Sequence, residues 1–109
     1  MSGIKFAVRA NDLPRMDSCI FGGRIDAYFV IQNHKGLILY QSEYVKNDCT
    51  PVFKTAIFTN GKIDTNEMLT FKWYDFDRFG PFNKCFGEFH VTLKELKSNG
   101  GLLKEVKNT

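Results

Sequence analysis

Hydrophobic and polar residues alternate with a period of two along much of this chain, and helical spacing is almost absent. Such alternation puts successive side chains on opposite faces of a strand. In "IKFAVRA" (4–10), Ile4, Phe6, Val8 and Ala10 share one face, while Lys5 and Arg9 take the other. "MLTFKWYDF" (68–76) sets Leu69, Phe71 and Trp73 against Met68, Thr70 and Lys72. "GEFHVTL" (87–93) sets Phe89, Val91 and Leu93 against Glu88, His90 and Thr92. "DAYFVIQ" (26–32) is apolar on both faces, the pattern of a strand inside a packed sheet. "GLILYQSEYVK" (36–46) predicts a strand that breaks near Gln41 and Ser42. "PVFKTAIF" (51–58) predicts another, with Pro51 at its first position, where proline is tolerated. "LLKEVKN" (102–108) reads as a closing strand. In "TLKEL" (92–96), Thr92 and Glu95 stand at the spacing of a capping box, which predicts a short helical turn.

About seven strands joined by loops rich in Gly, Asn, Asp and Pro predict an all-β antiparallel sandwich. At 109 residues the chain is expected to form one domain, 1–109, with a core that needs no disulfide staples. No linker, repeat or low-complexity tract interrupts it, and "NGG" (99–101) reads as a turn. No apolar run approaches the ~20 residues that cross a bilayer. The opening "MSGIKFAVRAND" shows no charged segment followed by an apolar one, so no secretory signal is expected. Three cysteines, Cys19, Cys49 and Cys85, cannot all pair, and their spacing matches no zinc pattern. Three reduced thiols in a cytosolic protein are the expectation. The net charge of +3 suits an anionic surface but falls short of a nucleic-acid-binding stripe.

The chemistry concentrates in "WYDFDRFGPFN" (73–83), where Asp75 and Asp77 precede an aromatic loop. An EF-hand loop starting at Asp75 would place Gly80 correctly. It would also need an oxygen ligand where Phe79 stands and an acid where Phe86 stands, and its flanks would be helices. That reading fails. Two others remain: solvated acids at a strand end, or a metal site shared between loops. Residues two apart on a strand point the same way, so Asp75 and Asp77 can converge on one ion. A second acidic loop, "LPRMDSCIFGGRIDAYF" (13–29), supplies Asp17 and Asp26 on either side of a Gly-Gly turn. Like charges at ~4 Å repel by several kcal/mol at moderate dielectric. A hard divalent ion such as calcium, which takes six to eight oxygen ligands, would resolve that repulsion.

These motifs, in this order, resemble the C2 domain family. "IKFAVRANDLPRMD…GGRIDAYF" resembles the strand and first calcium loop, and "VKNDCTPVF" the stretch "K-x-x-L-N-P-x-W/F". "FKWYDFDRF…FGEFHVTLKEL" resembles the third calcium loop, with its "D-x-D", and the strand that follows. "SEYVKNDCTPVFK", "KWYDFD" and "GEFHVTLKELKSNGG" are most similar to copine-type C2 domains, in particular the second C2 domain. The resemblance covers essentially the whole chain. It implies an eight-stranded sandwich with Greek-key connections and calcium-binding loops at one end. It implies a module of a larger copine-like protein, cytoplasmic and recruited peripherally to membranes when calcium rises. Asp17, Asp26, Asp75 and Asp77 would be calcium ligands, and the carbonyls of Met16 and Phe76 additional ones. Departures are visible. The first loop is three residues longer between its acids, and Ala27 replaces the usual proline. Asn83 stands where the family has a fifth acid, and one residue, Lys84 or Cys85, is inserted before Phe86. Fewer charges imply weaker affinity and one ion rather than two or three.

With calcium in place, the loop tips are the part that would meet an anionic phospholipid membrane. Ile20 and Phe21 form one tip; Phe79, Pro81 and Phe82 form the other, with Arg24, Arg78 and Lys84 beside them for phosphate. Phe79 or Phe82 folded inward to cap the sandwich is the competing arrangement. Lys35, Lys46 and Lys54 add positive charge wherever they face such a surface. The expected mechanism is an electrostatic switch, in which a bound ion reverses the repulsion between acidic loops and anionic lipid. The rival is a calcium-independent protein-interaction module, which the longer first loop and Asn83 favour. No enzyme is expected: His34 and His90 are the only histidines, and neither has a Ser or Cys partner evident in the sequence.

Overall fold

A computed structural model describes residues 3–11, 13, 25–46, 48–59, 66–76 and 83–96. Among them are six strands and one helical turn: β1 (Gly3–Phe6), β2 (Ala27–Gln32), β3 (Ile38–Gln41), β4 (Ala56–Thr59), β5 (Met68–Asp75), β6 (Lys84–Thr92) and α1 (Leu93–Leu96). All pairings are antiparallel. One sheet runs β3-β2-β5-β6, and β1 pairs with β4 in a second. Neighbours that are not consecutive in sequence, β1 with β4 and β2 with β5, reflect the crossings between sheets that a Greek key requires.

The alternation read from the sequence decides which side of the larger sheet is covered. Ala27, Phe29 and Ile31 of β2, Leu69, Phe71 and Trp73 of β5, and Val91 of β6 share one buried cluster with Phe53 and Leu93. Phe29 is its centre. Its ring stacks on Phe71 at 5.6 Å, meets Phe53 edge-on at 5.0 Å and lies 5.3 Å from Trp73. Phe6 of β1 reaches across to Phe71 at 6.1 Å, which joins the two sheets. Each such ring removes apolar surface from water worth about 1.5–3 kcal/mol when fully buried. Tyr28 and Val30 are buried as well, on the opposite face of β2, as a strand apolar on both faces must be.

Two strands end earlier than the alternation predicts. The ladder of β1 stops at Phe6 and that of β4 begins at Ala56, leaving between them a single bridge from Arg9 to Val52. The chains still run together, through bonds from Phe53 N–H to Val8 C=O and from Ala10 N–H to Pro51 C=O. The register shifts across the gap, from Phe6 opposite Ala56 to Arg9 opposite Val52, so that three residues of one segment face two of the other, and within it the N–H of Lys54 donates to Glu43 Oε2 at 2.7 Å. The expected break after β3 is present. Buried Ser42 donates its N–H to Phe29 C=O and accepts the Phe29 N–H on its own Oγ at 2.9 Å. A side chain thus stands in for a main-chain acceptor at the point where β3 ends.

The β2–β3 turn is built on Asn33, whose Oδ1 accepts the N–H groups of Lys35 and Leu37, both at 2.9 Å. Gly36 closes it at φ 84°, a left-handed conformation costly for a residue with a Cβ. At the far end of β6 the capping box forms as predicted. Thr92 Oγ1 accepts the Glu95 N–H at 3.1 Å, and Glu95 Oε1 accepts the Thr92 N–H at 2.9 Å. The predicted closing strand at 102–108 and the turn at 99–101 lie outside the described residues.

Candidate functional site

The acids of interest sit where β2 begins and β5 ends. Antiparallel pairing aligns Ala27 with Asp75, which carries Asp26 and Phe76 to the same edge. The N–H of Asp26 donates to Asp75 Oδ1 at 3.0 Å, and the N–H of Phe76 donates to the Asp26 carbonyl at 2.9 Å. Residues 49 apart in sequence are therefore clamped together, on one shelf at the paired ends of β2 and β5. Asp26 is only 5% exposed, a degree of burial that a carboxylate accepts where hydrogen bonds or positive charge accompany it.

A third segment arrives at the same edge. Val45 N–H donates to Ala27 C=O and Asp48 N–H to Ile25 C=O, both at 2.9 Å, so Val45 and Asp48 lie beside the start of β2. Tyr44 flanks β2 on one side and Phe76 on the other, yet their rings stack at 4.4 Å and 16°. The stack must pass over the strand between them, at the level of Asp26 and Ala27. Ala27 and Val45 pack into the core, which leaves the opposite face for the rings. Tyr44 remains 43% exposed.

Asn83 donates an Nδ2 hydrogen to the Tyr28 hydroxyl at 2.9 Å, and Tyr28 stacks on Tyr74 at 5.2 Å. Burial raises the Tyr74 phenol above its ordinary 10.0, with further contributions from Cys85, Tyr28 and Glu88. Lys84 is the register partner of Asp75 and is exposed.

Of the residues singled out in the sequence, Asp26, Asp75, Phe76, Asn83 and Lys84 are thus gathered at one end. Asp17, Asp77, Met16, Ile20, Phe21, Arg24, Arg78, Phe79 and Phe82 lie outside the described residues. Asp48 was not anticipated. It reaches this edge too, although its Oδ1 accepts the N–H and hydroxyl of Thr50 at 2.8 and 3.1 Å. Tyr44 was also missed as a candidate. The only signal was that alternation resumes after Ser42, with Tyr44 and Lys46 on the polar parity and Val45 on the apolar one.

The donor chemistry at the shelf is oxygen throughout, which suits a hard cation such as calcium. Asp26 and Asp75 would be the described residues to hold it. Among the described residues, no three His, Cys, Asp or Glu side chains stand close enough to hold a metal ion together. The histidines are elsewhere. His34 lies in the β2–β3 turn with Nδ1 3.1 Å from Glu67 Oε2. His90, on the open face of β6, has Nδ1 3.0 Å from the Thr70 hydroxyl and Nε2 3.4 Å from Glu88 Oε2, a hydroxyl partner the sequence did not reveal. Cys49 and Cys85 are free thiols. Among the described residues, no helix is long and apolar enough to cross a membrane.

The two-sheet architecture is that of a C2 domain, and the sequence model of that family matches residues 6–107. The chain belongs to the C2 domain family. Among curated proteins it is 28% identical to Copine-D of Dictyostelium discoideum over 110 residues, 98% of this chain and 20% of the relative. It is 32% identical to Copine-E of the same organism over 63 residues, 55% of this chain and 11% of the relative. The chain therefore spans about a fifth of the length of Copine-D. The solved structure named BON1-C2B superposes with a TM-score of 0.72 at 16% identity, covering 96% of this chain and 83% of that one.

Proposed function

We propose that residues 1–109 form a C2 module that docks on anionic phospholipid membranes, with calcium held at the acidic end as the switch. The observation that carries this reading is the bond between Asp26 N–H and Asp75 Oδ1, which joins the end of one acidic loop to the start of the other. Asp17 and Asp77 would complete the ligand set, with the Met16 and Phe76 carbonyls and Asn83 as neutral contributors. The cation supplies positive charge and open coordination positions for lipid phosphate or carboxylate. The chain's own part is to hold its carboxylates at fixed spacing through the paired ends of β2 and β5. It then places Ile20, Phe21, Phe79 and Phe82 at the bilayer interface, with Arg24, Arg78 and Lys84 beside them. On this reading the chain is a binding module rather than a catalyst, one part of a larger copine-like cytoplasmic protein that moves to membranes as calcium rises.

A second reading, a calcium-independent protein-interaction module, has its own support. Asn83 stands where an acid would be and turns its amide nitrogen to Tyr28. Co-sedimentation with phosphatidylserine-containing vesicles, in calcium and in chelator, separates the two. Calcium-dependent pelleting is expected; equal pelleting in both conditions, or none in either, removes the switch and favours the protein-interaction module.

A further inference from the structure

We propose that Tyr44, stacked on Phe76, is an interfacial contact of this domain, and that its partner is an anionic phospholipid surface. The inference rests on the membrane-docking reading and extends the docking face to a segment outside the two acidic loops.

The argument is one of placement. Val45 is tied to Ala27 and Asp48 to Ile25 by backbone bonds at the start of β2, so Tyr44 stands opposite Tyr28, two positions from Asp26. Its ring rests on Phe76, whose N–H is bonded to the Asp26 carbonyl. The pair is thereby coupled to the same backbone that carries Asp26 and Asp75. One face of the Tyr44 ring is covered by Phe76, while the residue keeps 43% of its surface open. A rigid, half-covered tyrosine with an apolar ring and a polar tip suits the boundary between headgroups and acyl chains. Its order is already in place, so insertion costs little side-chain entropy.

Charge selects the kind of surface. Lys46 follows Tyr44 by two residues, Lys84 is the register partner of Asp75, and both are exposed. With calcium offsetting Asp26 and Asp75, two exposed lysines at this end complement an anionic headgroup layer. An apolar protein groove would leave both lysines without counter-charge.

The test uses the whole chain and vesicles of phosphatidylcholine with or without phosphatidylserine, in calcium and in chelator. Tyr44→Trp places an indole at the proposed contact, while native Trp73 is buried in the core and serves as an unresponsive background. Phosphatidylserine vesicles whose acyl chains carry bromine are expected to quench the new indole and shift its emission to the blue. Tyr44→Ala is expected to weaken vesicle partitioning by about fivefold, the effect of removing part of one aromatic from the interface. The calcium midpoint measured without lipid should be unchanged. Wild-type binding with an unquenched indole, or with undiminished partitioning of Tyr44→Ala, overturns this inference and leaves the membrane reading standing. A wild-type chain that binds no vesicle overturns both. Should Tyr44→Ala fail to fold, the indole measurement decides alone.

Discussion

Replacing Asp75 separates its two roles, as a hydrogen-bond acceptor within the fold and as a charge at the site. Its Oδ1 accepts the N–H of Asp26 at 3.0 Å beside a residue that is 5% exposed. Asp75→Ala removes that acceptor at a place where water cannot easily substitute, a loss of about 1–3 kcal/mol. For a domain of this size, each kcal/mol moves Tm by roughly 4 °C, so a fall of about 4–12 °C is expected. Asp75→Asn keeps an oxygen at the same position and loses only the charge assistance, so its Tm should fall by less than about 4 °C. Calcium reverses the comparison. At a concentration one hundred times Kd it should raise the wild-type Tm by about 10 °C, from roughly 2.7 kcal/mol of linkage. A tenfold loss of affinity in Asp75→Asn would remove about half of that rise. Scanning calorimetry of the three proteins, in calcium and in chelator, reads all these quantities. The reasoning is refuted if Asp75→Ala melts no lower than Asp75→Asn in chelator, for then the bond does not support the fold. It is equally refuted if calcium stabilises Asp75→Asn as much as the wild type, for then the charge does not serve the site.

Ser42→Ala deprives the buried Phe29 N–H of its acceptor at the end of β3, and a loss of about 1–3 kcal/mol is expected in urea unfolding. Hydrogen exchange at Phe29 should accelerate in parallel, and unchanged exchange would show that the main chain finds another partner. Tyr74 and Tyr40 are both raised above 10.0, chiefly by burial. The unfolded chain therefore gives up these phenolic protons first as pH rises through 10.0, and stability must fall from there upward. Tyr74→Phe should weaken that decline relative to the value at pH 8, and an identical slope in the two proteins would remove Tyr74 as a cause.

The alternation in "MLTFKWYD" and "GEFHVT" was enough to place Leu69, Phe71, Trp73, Phe89 and Val91 on the side that packs, because a two-residue period ties each side chain to a face. The double-sided apolar run of β2 announced an interior strand, and it pairs on both edges. The capping box was equally legible, since it is a contact between residues three apart, whereas the break at Ser42 showed only as an interruption of the apolar pattern and its partner Phe29 did not. Asp26 and Asp75 could be named from their motifs, but that they share a hydrogen bond could not. Their meeting depends on a register between strands 49 residues apart, and no local periodicity encodes register between distant segments. The same limit hid Tyr44, whose ring finds Phe76 only because two different strands flank β2. It also hid the register shift between Phe6 and Arg9, and the bond by which the Glu43 side chain captures the Lys54 N–H. By itself, the sequence determined which faces are apolar, where strands can stop and which residue types carry oxygen ligands. Tertiary structure alone decided which of those residues stand together, because strand pairing and sheet packing, rather than local preference, set distances across the fold.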